Sequence, residues 1–157
     1  MPELDLNLEI FLLLQNNWSL SGNLASGSIT WSTGNYDASI SQPQIVVTSY
    51  GGDKSPPLTM GASGAFYRDL DVINVGIWVR PLSDSGTSFG RAKNNLYQMR
   101  KEVERIVRSG SNLGQDSNDY YRLGFLGAWK RYPSTDKRTV LLHDVLPVNI
   151  VKIVKGV

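Results

Sequence analysis

If this chain performs chemistry, it has few residues to do it with. Its single histidine, His143, stands directly before Asp144 in LLHDV. A catalytic base needs a carboxylate to orient it and a nucleophile in reach. Neighbours along a strand point to opposite faces, so Asp144 is badly placed to orient His143, which reads as a strand-end histidine. The absence of cysteine removes thiolate nucleophiles, thiolate zinc ligands and disulfides. Asp37, Asp53, Asp69, Asp71, Asp116 and Asp119 are scattered without the spacing of a calcium loop. Asp69 and Asp71 share a face at a strand entrance, where they read as two solvated acids. GASG lacks the Lys-Ser/Thr pair and the following helix of a phosphate cradle. The expectation is a protein with no catalytic residues, no metal and no cofactor, and not an enzyme.

Composition sets the frame for the elements. The 157 residues suit one domain over 1–157, with a core that needs no staples. A hydrophobic share of 41% with 19% charged residues marks an ordinary globular chain rather than a disordered one. A net charge of +2 is too small to argue for nucleic acid by itself. The apolar run Ile10–Leu14 is far too short to span a bilayer, and Glu3, Asp5 and Glu9 precede or interrupt it, so neither a signal peptide nor a membrane contact is expected.

Periodicity supplies the elements. Leu4, Leu6, Leu8, Ile10 and Leu12 alternate like a strand, but the run also fits a helical face; helix-favouring Leu, Glu and Gln, with Asn16-Asn17 as a stop, predict a helix over 4–16. A short strand is expected around Ile29–Trp31. QIVVTSY reads as a strand with Pro43 marking its start. The Gly- and Pro-rich stretch 51–66 shows neither period and reads as a long flexible loop. DVINVGIWVR is the clearest strand, with Ile73, Val75, Ile77 and Val79 on one face and a half-polar row on the other. In GRAKNNLYQMRKEVERIVRSG, Ala92, Leu96, Met99, Val103, Ile106 and Val107 form one helical stripe, with Gly110 as C-cap. YYRLGFLGAWKRY, RTVLLHDV and PVNIVKIVKG read as further strands, the first two joined by a turn at PSTDK. The order predicts an α+β fold: a mostly antiparallel or mixed sheet with an N-terminal helix and one long amphipathic helix on one face.

What remains is binding surface. Arg91, Lys101, Arg105 and Arg108 oppose the apolar stripe, flanked by Glu102 and Glu104. Arg100–Glu104 and Glu104–Arg108 have the i,i+4 spacing of a solvated helix face. Trp31, Tyr36, Tyr50, Phe66, Tyr67 and Trp78 surround the strands and the 51–66 segment, the residue types of a protein contact surface, although about half are expected to close the core. Asp37 reads as a turn residue whose carboxylate bonds nearby N–H groups.

GNYDASISQPQIVVT, the Gly/Pro-rich segment after it, VINVGIWVRP and the MRKEVERIV helix occur in an order that resembles the tail terminator and tail-completion (neck) proteins of long-tailed phages and archaeal tailed viruses. The resemblance spans 29–157, and the 51–66 segment departs from it. It implies an α+β subunit of a homo-oligomeric ring, commonly a hexamer. Such a ring caps the tail tube, stops its polymerisation and joins it to the head–tail connector. The setting would be the virion neck or tail, assembled in the host cytoplasm. No motif carries over residue by residue, so the contact residues expected here come from the chemistry of the surface. Subunit contacts are expected at Arg91, Lys101, Glu102, Glu104, Arg105, Arg108, Trp78 and Arg80. Contacts to the major tail tube protein or a neck protein are expected at Asp53, Lys54, Leu58, Met60, Phe66 and Tyr67. A basic lumen would also tolerate passing DNA through transient, non-specific contact. The alternative is a small nucleic-acid-binding protein using the basic face of helix 91–108.

Overall fold

The structure is a computed structural model. It describes the backbone of residues 5–61, 64–81, 86–109, 112–115, 119–132, 134–136 and 139–155, and side chains at 5–49, 72–81, 86–109, 127–132 and 141–150. The architecture is the α+β arrangement expected from the sequence. Helix α1 runs Leu6–Asn17 and helix α2 Gly86–Ser109; the strands are β1 Thr30–Ser32, β2 Gln44–Gly61, β3 Gly64–Val79, β4 Asn112–Gln115, β5 Asp119–Leu126, β6 Lys130–Arg131, β7 Ser134–Asp136 and β8 Thr139–Lys155. The sheet order is β1-β2-β3-β8-β5-β4, with β6 and β7 also paired to β8. Among the described pairings only β1–β2 is parallel.

The ambiguity at the N-terminus resolves as helix because Asp5 caps it, accepting from the Leu8 N–H at 3.2 Å. Ile10 and Leu14 face the core, while Leu8 and Leu12 are exposed. All six stripe residues of α2 are buried as expected. They pack on the odd-numbered side chains of β2 and β3, Ile45, Val47, Ile73, Val75, Ile77 and Val79, and on Leu142, Leu146, Val148 and Ile150 of β8. Both helices therefore cover one face of the sheet, and the strand period of two assigns every alternate residue to the other.

Two polar ties fix the helices. Glu102, buried within α2, accepts from the Ser19 N–H at 3.1 Å, the Ser19 hydroxyl at 2.7 Å and the Arg105 guanidinium. Burial works against its charge, but the bonds from Arg105 and Ser19 outweigh it and hold the carboxyl below its usual range. Arg105 also donates to the Asn17 carbonyl at 2.8 Å, so one guanidinium closes the C-terminus of α1. The second tie is Asp144, 1% exposed on the helix side of β8. It takes Arg131 of β6 at 2.9 Å and Arg100 of α2 at 3.2 Å. Arg131 stands directly opposite Asp144 in the strand register, and the carboxylate's hydrogen bond raises the arginine's pKa further.

Several expectations change. Residues 51–61 and 64–66, expected as loop, continue β2 and β3 as a long hairpin; register shifts between Lys54 and Pro57 and between Pro57 and Thr59 absorb the missing proline donors. The break expected between RTVLLHDV and PVNIVKIVKG is absent, because β8 passes through Pro147. The gap falls in its neighbour instead: between β5 and β6 the Gly127 N–H donates to the Pro147 carbonyl at 2.8 Å. A Cβ at Gly127 would lie 3.1 Å from the proline ring, so glycine permits that approach. Of PSTDK, Ser134–Asp136 pairs with β8 as strand rather than forming the turn. The C-cap expected at Gly110 lies outside the described residues.

Removing the buried carboxylate leaves two arginines unneutralised at the core edge. Asp144→Ala should lower unfolding free energy by about 2–3 kcal/mol, because the two arginines left behind are 30% and 52% exposed and can turn to water. Arg131→Ala leaves Arg100 on the carboxylate and should cost less. Urea denaturation of both variants checks the order; a loss under about 1 kcal/mol for Asp144→Ala would refute the assignment.

Candidate functional site

The helix-free face of the sheet carries the one constellation of chemistry-bearing side chains that the described residues bring together. Register places Gln44, Trp78 and His143 in one row across β2, β3 and β8, then Val46, Gly76 and Val145, then Thr48, Asn74 and Pro147. Trp78 and His143 are direct cross-strand partners, and their rings stack with centroids 3.3 Å apart and planes 11° apart. Tyr36 stacks on Trp78 at 4.4 Å and 21°. Tyr132, 47% exposed, leans on His143 at 5.5 Å and 33°. Beside this run of four rings lies a cavity of about 260 Å³ whose floor includes Val46, Gly76 and Val145 and whose rim includes Thr48 and Asn74.

Tyr36 reaches the sheet because four hydrogen bonds, two with Gln44 and two from Arg80, hold its loop onto it. The buried Gln44 amide accepts from the Asp37 N–H at 3.0 Å and donates to the Asp37 carbonyl at 2.7 Å, copying a strand pairing with a side chain. Arg80 donates to the Tyr36 hydroxyl at 2.9 Å and the Ala38 carbonyl at 3.0 Å. Asp37 is the turn residue expected, accepting from the Ser39 hydroxyl at 2.6 Å and N–H at 2.9 Å; these bonds hold its carboxyl below its usual range.

His143 is the largest revision at the site. It lies within β8 rather than at a strand end, and it faces away from Asp144 as the alternation requires. Burial pushes its ring from the ordinary 6.5 down to about 4, against a smaller opposing pull from the Asp144 charge. It is therefore neutral at pH 7, with one ring nitrogen able to donate and the other to accept.

The other expected site residues divide. Trp78 and Arg80 belong to the far-face constellation. Glu102 and Arg105, expected at a subunit contact, form a clamp between the helices, with Glu102 buried and Arg105 half exposed. Glu104 accepts from the Trp129 indole at 2.6 Å and meets Arg108 at 3.7 Å. Arg100, expected to pair with Glu104, instead turns over the Trp129 ring toward Asp144. Lys101 lies over the Tyr97 ring at 4.8 Å. Arg91 lines a smaller depression of about 180 Å³ with Arg80 and Asn95, on the α2 side. Most cations of the helix face are thus engaged within the chain itself. Trp31 packs edge-on against Phe11 and Trp18 near α1. The side chains of Asp53, Lys54, Leu58, Met60, Phe66 and Tyr67 lie outside the described ones, as do those of Asp69 and Asp71. Among the described residues, no three His, Asp or Glu side chains come together as metal ligands would, and no helix is long and apolar enough to cross a membrane.

Comparison with protein-family models gives no match, and comparison with curated proteins gives no relative.

Sequence reasoning named Trp78 and Tyr36 but missed Gly76, Asn74, Thr48, Tyr132 and the use of His143. The half-polar row of β3 was their only local signal. What assembles them is the pairing of β3 with β8, some 65 positions apart, which no local pattern encodes.

Because the chain has one histidine, its titration is directly readable. The ring-proton NMR resonance should titrate near pH 4, with no step between 6 and 7. The folded pKa is depressed, so between 6.5 and 4 the unfolded chain binds a proton the folded chain does not, and stability falls as pH falls through that window. His143→Phe should flatten that part of the pH dependence, most clearly above pH 5, where carboxylates contribute least. A midpoint near 6.5 would contradict the packed, neutral ring.

Proposed function

We propose that this protein is a structural subunit of the neck or tail of a tailed virus. In this reading, six copies close a ring on the end of the tail tube and present a face to the head–tail connector, without catalysis. The observation that carries it is the outer edge of β2, which runs from Gln44 to Gly61 and, beyond its short pairing with β1, is paired among the described strands with β3 alone.

Such an edge suits a ring. Ring contacts are heterologous: two different patches of each copy meet and close by rotation. Along β2, β1 covers Gln44–Val46, so among the described strands none pairs the outer edge beyond Val47. A backbone edge of that kind is available to a neighbouring chain. Pro56 and Pro57 remove two donors from the middle of it, which confines productive pairing to the stretch before them. The element order of helix, strands, long helix and closing strands agrees with the resemblance to tail terminator and neck proteins. The virion location rests on that resemblance. DNA passing through the lumen would meet the ring only in transient, non-specific contact.

Mass photometry across a concentration series, with and without purified tail tubes, tests this reading. A ring-sized species, free or on tube ends, is the expected outcome. Ser49→Pro, at an exposed position just beyond β1, removes one edge donor and should weaken ring formation at least tenfold while the protein stays folded by circular dichroism. A chain that stays monomeric at high concentration and leaves tube ends bare would overturn the proposal.

A further inference from the structure

The far-face cavity holds hydrogen-bonding groups that the fold does not use. Three of the four indoles donate within the protein: Trp18 to the Leu24 carbonyl at 2.8 Å, Trp31 to the Ser26 carbonyl at 3.0 Å, and Trp129 to Glu104. The fourth, Trp78, has no acceptor among the described residues. A Cβ built on Gly76 would lie 3.3 Å from His143 Nε2 and 3.5 Å from Trp78 Nε1, so both ring nitrogens overhang the bare glycine. The side chains of Asn74 and Thr48, on the same face one row further along, also have no partner among the described residues.

We propose that this cavity is a binding site for an uncharged amide-type group, a hydrogen-bond acceptor beside a donor, of the size of an Asn or Gln side chain. The chemistry of the walls selects that class. An indole N–H only donates, whereas a neutral imidazole and an Asn amide offer an acceptor as well. A carboxamide meets both needs at once: its oxygen accepts from Trp78, and its NH₂ donates to the free imidazole nitrogen or to the Asn74 oxygen. Among the described residues no charged side chain lines the cavity, so an ion would lose water with no counter-charge from them in return. A carboxylate would bring only acceptors against a neutral imidazole. The volume of about 260 Å³ lies below that of ordinary drug-sized sites and admits a side chain or a small amide. Gly76 is what keeps the space open, because any side chain there would occupy it. The site stands on the subunit's own geometry and does not require the ring.

The test follows the Trp78 indole N–H and the His143 ring resonances of the ¹⁵N-labelled chain, with the indole assigned by Trp78→Phe. Propionamide should move both signals saturably, and propionate, its charged near-isostere, should act at least tenfold more weakly. Gly76→Ala should abolish the propionamide response. If that variant does not fold, Asn74→Val should weaken the response severalfold. Dilution of the protein alone identifies the source of the amide. Shifts of the same signals on dilution, mimicked by competition with propionamide, assign it to a second copy; a propionamide response without any dilution effect assigns it to another molecule. Signals that ignore propionamide, or that answer propionate equally, overturn the proposal.

Discussion

A buried carboxylate on the central strand sets the geometry of this protein. Asp144 lies on the helix side of β8, where an unpaired charge would be severely destabilising, and it holds one arginine from α2 and another from β6. A one-residue slip of β8 would carry Asp144 to the other face and strand both arginines, so the carboxylate pins the register as well as the packing. Arg100 extends the tie through the Trp129 ring, whose indole holds Glu104 and through it Arg108. Sheet, long helix and the interrupted outer strand are thus joined at one point.

The same constraint creates the far face. With Asp144 turned toward the helices, His143 must point away, and the β3–β8 pairing sets it on Trp78. The stack then receives Tyr36 from a loop that Gln44 and Arg80 draw down onto the sheet. Stacking also accounts for the neutral imidazole: a ring sandwiched between aromatics is poorly solvated, and the charged form bears that cost. The Asp144 charge favours protonation from the other side of the strand, but burial outweighs it.

How much of this the sequence discloses depends on how local the cause is. The stripe of α2 was legible because its period lies within one element. The N-terminal run was ambiguous by period, and the capping Asp5 decides it. The 51–66 segment misled because Gly and Pro dominate local propensity, whereas the sheet tolerates them through register shifts. Pro147 misled in the same way: its strand continues because the neighbouring strand breaks at Gly127 instead. Glu102 read as solvated because its neighbours are charged, yet its partner Ser19 lies in a distant segment. The far-face site was the least legible, since every contact that builds it crosses between strands remote in sequence.

These placements give the two surfaces different electrostatic characters. On the helix side, Arg100, Arg105 and Arg108 are bound to Asp144, Glu102 and Glu104 within the subunit. A polyanion approaching that face would have to compete with contacts already made, and counterion release, which drives binding to nucleic acid, is correspondingly reduced. On the far face, the described residues lining the cavity are uncharged and offer neutral donors, acceptors and ring edges, with the Arg80 guanidinium held behind Tyr36. Recognition there depends on complementary hydrogen bonds and shape rather than on long-range attraction. Mutations at the cavity would then change dissociation rates more than association rates, with little dependence on salt. Arginines engaged in internal ties on one side and an uncharged cavity lining on the other leave shape and hydrogen bonding as the main terms of recognition at that cavity.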